Sequence, residues 1–301
     1  MKNNITCMEL NQWINEGRDF ILLDVLLPEC YGSRHIPGAT NSCVYEMDFL
    51  DQVRKVIVDK KKCIVVYDSS DRSMASTWAA RKLTEAGFQQ VWELSGGMDE
   101  WEGSGYPVDV LGPELEEETV IKDGLHAVDC SQSRLEWTGR NIAKRHHGTI
   151  DIKEGEIRIE NGNLTGGALF LDMGTIRNMD LQDSVLNSLL IRHLSSDDFF
   201  DVENHPTARF EIAECRTIDD ATPGSPNYSI RGTLTIKDVS REIQIQASVV
   251  PGENGRVMAH SFFDIDRTLW NVSYGSGKLF EKLGMHLVND IISLELFLTT
   301  P

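Results

Sequence analysis

The chain has 301 residues, 41% of them hydrophobic, which suits about two cored domains and is too apolar for a disordered chain. Its formal net charge of −18 lacks the basic footprint that nucleic acid or an anionic membrane surface requires as a main partner. No apolar run is long enough to span a membrane. In chain order, Phe20–Val25 is a short apolar run of the kind a buried parallel strand makes, and Cys63–Tyr67 and Val91–Leu94 repeat it. Asp48–Val58 and Ser73–Ala86 have helical spacing between these runs. Strands alternating with helices predict an α/β layer structure with a parallel sheet. Asp68-Ser69-Ser70-Asp71-Arg72-Ser73 joins a strand to a helix N-terminus, a geometry that cradles anions.

The texture changes near residue 112. Leu111-Gly112-Pro113 followed by Glu114 and Glu116-Glu117-Glu118 breaks regular structure and stays solvated, so an acidic linker is placed at 111–122. Beyond it the period becomes two. Gly155–Glu160 alternates and turns at Asn161-Gly162-Asn163, a strong hairpin signal. Phe210–Ile212, Tyr228–Ile236, Ile243–Val249 and Ile291–Leu298 alternate as well, which predicts an antiparallel sandwich or closed barrel. Leu181–Leu194 reads as a helix interrupting the strands.

The six cysteines are scattered and form no Cys-x-x-Cys pair, which fits reduced thiols. Met1-Lys2-Asn3-Asn4 does not open the apolar core of a signal peptide, and a cytoplasmic location is expected. His146-His147 sit side by side on a strand and point to opposite faces, so they do not chelate one ion, and no metal is expected. His205 before Pro206 reads as a turn residue. Gly275-Ser276-Gly277-Lys278 lacks the upstream glycine and the following Ser/Thr of a phosphate loop, leaving at most a loose contact to a diphosphate head group.

Residues 1–110 resemble the rhodanese family. The match rests on Leu22-Leu23-Asp24-Val25, on His35-Ile36-Pro37-Gly38-Ala39, on Val65-Val66-Tyr67 leading into the loop, and on Gly96-Gly97-Met98-Asp99-Glu100-Trp101 with Gly105-Tyr106-Pro107-Val108. The resemblance implies a sulfur-carrying cysteine as the first loop residue, where this chain has Asp68. A carboxylate cannot form a persulfide, so the resemblance implies the fold without its nucleophile. The loop is also one residue short and lacks the glycine before Arg72, while Leu26 and Arg34 stand where Arg and Gly are usual. Cys63 opens a buried strand and reads as an inert core thiol. No catalytic residue is assigned: Asp68, with Arg72 and Ser73 in the same loop, is expected to bond loop N–H groups and offset the helix dipole. Asp71 is the expected N-cap.

Residues 123–301 resemble the YceI-like family. Leu135-Glu136-Trp137-Thr138-Gly139-Arg140 with His147-Gly148, Leu164–Met173, Leu194–Val202 with His205-Pro206-Thr207-Ala208-Arg209-Phe210, Gly232–Val239 and Phe263–Trp270 carry the match. The resemblance implies a lipocalin-like β-barrel that holds a long isoprenoid or other lipid tail. Alternation alone gives an apolar inner face and leaves open whether it is filled or hollow; the resemblance favours a cavity. The expected lipid-binding residues are Trp137, Phe170, Phe199, Phe200, Phe210, Ile212, Leu234, Ile236, Phe263, Ile265, Trp270, Leu294 and Leu296. Phe199, Phe200 and Trp270 are the candidates for the mouth, and the helix over Leu181–Leu194 for its cap. No cofactor is required. The expected partner is a long-chain lipid or quinone, with a homodimer through the barrel left open. The leading function is carriage of a long-tailed amphiphile beside a non-catalytic rhodanese-like scaffold or recognition module. The alternative is a sulfurtransferase-like or hydrolytic enzyme using the Asp68 loop.

Overall fold

A computed structural model describes residues 3–112, 121–252 and 255–301. The chain divides into two compact units, Met1–Glu117 and Glu118–Pro301. The acidic stretch at the core of the expected linker, residues 113–120, lies outside the described residues.

The first unit runs β1 (Asn3–Ile5), α1 (Cys7–Asn15), β2 (Phe20–Asp24), α2 (Pro28–Ser33), β3 (Thr40–Asn41), α3 (Phe49–Val56), β4 (Cys63–Tyr67), α4 (Ala75–Glu85), β5 (Gln90–Leu94) and α5 (Gly97–Gly103). Its five strands form a parallel sheet in the order β1-β5-β4-β2-β3. Successive residues of one strand serve opposite faces. Leu22, Val65 and Tyr67 pack with Leu10, Met98 and Trp101 of α1 and α5. Leu23, Ile64 and Val66 pack with Val53, Ala79 and Leu83 of α3 and α4. Both faces are covered, so the strands read as unbroken apolar runs. The short β1 and the helices α1, α2 and α5 were not among the elements expected from periodicity. For α1 a signal was present: Thr6 and Glu9 form a capping box, with Thr6 accepting from the Glu9 N–H and Glu9 accepting from the Thr6 N–H.

The second unit holds β6 (Gly124–Ala127), β7 (Arg134–Arg140), β8 (Arg145–Glu160), β9 (Asn163–Asn178), α6 (Ser184–Ser195), β10 (Thr207–Thr217), β11 (Tyr228–Ile236), β12 (Val239–Pro251), β13 (Val257–Asp266) and β14 (Ile291–Thr299). β7 to β14 pair antiparallel around a closed ring, the β8–β9 pairing sealing an eight-stranded barrel. β6 adds to the second half of β8. The β8–β9 hairpin turns at Asn161 and Gly162, both at positive φ (53° and 74°), as a tight right-twisted hairpin requires. Closure leaves the barrel's inner face as its core. Two apolar clusters make up that face, one around Trp137, Leu234 and Ile265 and one around Ile157, Ile230 and Ile245.

Candidate functional site

The barrel is hollow at one end. A cavity of about 320 Å³ opens among β7, β9, β11, β13 and β14. Its walls include Leu135, Ile150, Leu171, Met173, Leu234, Ile236, Ile265, Ile292 and Leu294, all apolar and inward on their strands. α6 lies over it with Leu190, His193 and Leu194. Asp183 caps α6 by accepting from the Val185 and Leu186 N–H groups, and the Asn187 amide donates to the carbonyls of Asn178 and Leu181.

The polar groups gather at the rim: Arg140, Asn141, Lys144, His146, His286 and Asn289. No Asp or Glu is among the described residues lining the cavity, although the chain's net charge is −18. His146 lines the cavity while His147 lines a groove beyond the wall. One carboxylate holds both segments: Asp180 lies 2.9 Å from His146 Nδ1 and accepts from the His147 N–H at 2.9 Å. Burial pushes Asp180's pKa up, but the His147 N–H, the His146 ring and the Asn178 amide outweigh it and bring the pKa down to about 2.

Arg267 anchors the far side of the rim. It is 3% exposed, and its guanidinium donates to the carbonyls of Val272, Val288 and Asn289 at 2.6, 3.1 and 3.0 Å. Burial lowers its pKa, while Asp290 and Asp266 act to raise it. A buried charge persists only with such partners, and these ones pin the 272–289 loop at the mouth. An aromatic group lies beside it: Phe199 meets Tyr274 at 5.3 Å and His193 at 4.9 Å between ring centroids.

Of the expected lipid-binding residues, Trp137, Phe199, Phe200, Leu234, Ile236, Ile265 and Leu294 line this cavity. The Trp137 indole N–H has no hydrogen-bond partner among the described residues. Phe210, Ile212 and Leu296 line a second void of about 40 Å³ deeper in the lumen. Phe263 packs against both apolar clusters. Two expectations are corrected. Phe170 does not line the lumen: its neighbours Leu169 and Leu171 belong to the inner core, and Phe170 lies between its exposed cross-strand partners Glu154 and Arg209. Trp270 is not at the mouth; it is 1% exposed and donates its indole N–H to the Leu234 carbonyl at 3.0 Å. Sequence reasoning missed the loop residues Arg267, Tyr274, His286, Leu287 and Val288, because loops carry no periodicity to read.

In the first unit, the loop after β4 is filled by its own chain. Asp68 is 2% exposed and accepts from the Ser76 N–H at 2.8 Å, in the first turn of α4. Its backbone carbonyl accepts from Met98 N–H and that of Ser69 from Asp99 N–H. Gly97 permits this contact, since a Cβ there would lie 2.5 Å from the Asp68 carbonyl oxygen. Asp71 is not the N-cap of α4; its Oδ1 accepts from the Gly96 N–H at 2.7 Å, and Ser73 Oγ accepts from the Ala75 N–H instead. Arg72 is exposed, whereas Asp68 is buried. Cys63 stands at the opposite end of β4, its thiol pKa raised by burial.

No group of three or more His, Cys, Asp or Glu suited to a metal occurs among the described residues. His205 Nδ1 lies 3.0 Å from the Asp238 carboxylate. Lys278 is engaged by Asp266 at 2.6 Å and Asp290 at 3.5 Å, which takes it away from a head group. No helix among the described residues is long and apolar enough to cross a membrane.

The second unit is thus an eight-stranded antiparallel barrel with an apolar hollow beneath a helix. Residues 126–300, more than half of the chain, match the YceI-like domain, and the protein belongs to that family. Residues 6–104 match the Rhodanese-like domain. Among solved structures the chain is similar to Burkholderia cenocepacia BcnA at 18% identity, covering 58% of this chain and 99% of that one with a TM-score of 0.46. It is also similar to a polyisoprenoid binding domain from Saccharophagus degradans implicated in plant cell wall breakdown (15% identity, 60% and 100% covered, TM-score 0.45). The Alr3790 protein from Anabaena sp. is similar at 29% identity, with 36% of this chain and 92% of that one covered and a TM-score of 0.33. No curated protein matches the chain.

Proposed function

We propose that the barrel binds and carries a long-chain amphiphile, its tail in the lumen and its head at the rim, beside a rhodanese-like unit that serves as a scaffold or recognition module. The observation that carries this reading is the 320 Å³ apolar cavity with hydrogen-bonding and cationic groups confined to its mouth. Each methylene moved from water into such a space contributes about 0.8 kcal/mol, so a tail binds tightly without any catalytic group. At the rim Arg140, Lys144 and the Asn141 amide offer donors, and no acidic side chain among the described lining residues opposes a head rich in acceptor oxygens. A quinone carbonyl or a phosphate meets that description, and an isoprenoid tail is the class the YceI-like resemblance implies. The Asp68 carboxylate is committed to the Ser76 N–H, which supports a non-catalytic role for the first unit.

Native mass spectrometry of the gently purified protein, followed by organic extraction and lipid analysis, tests the reading. The expected result is a stoichiometric adduct of isoprenoid or fatty-chain mass that extraction removes. A clean mass that stays unchanged when quinones and polyprenyl lipids are offered would overturn it.

A further inference from the structure

The two ends of the barrel differ in what they expose. Three connections contribute residues to the 320 Å³ cavity: 141–144 between β7 and β8, 179–206 between β9 and β10, and 267–290 between β13 and β14. They meet one another around its mouth. The Asn289 N–H donates to the Arg140 carbonyl at 2.8 Å, Ile142 and Lys278 share a surface hollow with Leu287, and His193 of α6 meets Tyr274 at 4.6 Å between ring centroids. The same connections leave large apolar side chains in solvent. Ile142 is 91% exposed, Leu279 and Phe280 are exposed, and α6 turns Leu190, His193 and Leu194 to the cavity while Val185 and Leu189 face water. The turns at the other end, 161–162, 218–227 and 252–256, have no exposed large apolar side chain among their described residues.

Charge follows the same division. The tips 141–145 and 278–282 carry four cations, Lys144, Arg145, Lys278 and Lys282, against one acid, Glu281. Lys144, Arg145 and Lys282 are exposed and form no ion pair among the described residues. The 218–227 turn carries Asp219 and Asp220 and no cation. In a chain of formal charge −18, unpaired cations therefore stand where the apolar side chains do. Apolar residues interleaved with lysines suit the head-group layer of a bilayer, the apolar groups passing below the phosphates and the ammonium groups staying with them. A second copy of this face would bring like charges together. We propose that the mouth end of the barrel is a bilayer-docking face, with Ile142, Leu279 and Phe280 entering the head-group layer and Lys144, Arg145 and Lys282 meeting lipid phosphates, so that the cavity opens onto the membrane that supplies or receives the tail. The choice of a bilayer rests on the reading of the barrel as a tail-binding site, since long tails reside in membranes. The contact is peripheral and reversible, because few side chains enter and the rest of the chain is acidic.

The test is flotation of the full-length protein with phosphatidylcholine vesicles, with and without a phosphatidylglycerol fraction. Ile142→Glu and Phe280→Glu should each weaken vesicle binding about tenfold or more. Leu125→Glu, at an exposed apolar position on β6, should leave it unchanged. Lys144→Ala should weaken binding about fivefold on vesicles containing phosphatidylglycerol and less on phosphatidylcholine alone. Binding of a soluble n-alkyl amphiphile is measured on the same proteins. Ile142 and Phe280 do not line the cavity, so it should be unchanged in their variants, which also reports that they are folded. No flotation of the unsubstituted protein, or equal flotation of it and both glutamate variants, overturns the docking face and leaves tail binding standing where the amphiphile still binds. A dimer that forms without vesicles and is lost in Ile142→Glu overturns it in favour of a second copy. Flotation with the expected variant pattern, but no amphiphile bound by any of the proteins, supports the docking face and removes the tail-binding reading.

Discussion

In the first unit the loop after β4 takes four backbone donors for itself, with Asp68 on the Ser76 N–H, Asp71 on the Gly96 N–H, and two loop carbonyls taking the Met98 and Asp99 N–H groups. In the second unit the opposite holds at the mouth, where the walls are apolar, the polar groups are pushed to the edge and a space of about 320 Å³ remains. A strand–loop–helix cradle has the shape of an anion site. Shape alone is not vacancy, and here a side chain stands in for the anion. The barrel, whose eight-stranded closure is compatible with either a packed or a ligand-holding interior, is the region left open.

The sharpest way to break this contrast is to cut a large anchor from each unit. Trp101 and Trp270 are each 1% exposed, and each donates its indole N–H to a carbonyl, Pro107 and Leu234 respectively. Replacing either with alanine should cost about 3–5 kcal/mol. Trp270→Ala should abolish tail binding, and Trp101→Ala should spare it. Unit-resolved hydrogen exchange in urea checks this; equal loss of protection in both units from either variant would show that they share one cooperative core.

A smaller effect is expected at Asp68. Asp68→Ala leaves the Ser76 N–H buried without its partner and should destabilise the first unit by about 2 kcal/mol, whereas Asp68→Asn keeps an acceptor and should cost much less. Thermal unfolding measures both variants, and a stabilised alanine variant would mean the carboxylate is retained for something other than the fold.

The smallest effect is titration at the rim. Asp180 has its folded pKa lowered to about 2, so the stability it contributes is present above the unfolded value near 4 and is lost as pH falls through about 2. Partial exposure reduces its worth to about 1 kcal/mol. Acid unfolding of the second unit should lose that component in Asp180→Asn; identical pH profiles would mean the rim is held by other bonds.

Much of this architecture could be read beforehand, for identifiable reasons. β4 matches its apolar run from Cys63 to Tyr67 because a strand covered on both faces has no polar interruption. The inner face of β11 followed from alternation because its outer residues are polar. Ala168-Leu169-Phe170-Leu171 has no such contrast, and the β8–β9 pairing shifts register nearby, so the face of Phe170 was not legible. Trp270 was misplaced because it follows β13 in a 3-10 turn, Arg267–Trp270, where strand parity has ended. The seat of Phe210 over Gly232 was hidden too: the two are distant along the chain and meet only when β10 lies beside β11.

α6 has no fully buried residue, and Val185, Leu186 and Leu189 are 74%, 52% and 50% exposed. Elements with little buried surface open at a lower free energy than the strands of a closed sheet. The consequence concerns time rather than affinity. On the reading of the barrel as a tail-binding site, tail exchange is set by the lifting of that helix, which is faster than unfolding of the barrel. Residence time can then change through substitutions in α6 alone, with the depth and walls of the lumen untouched.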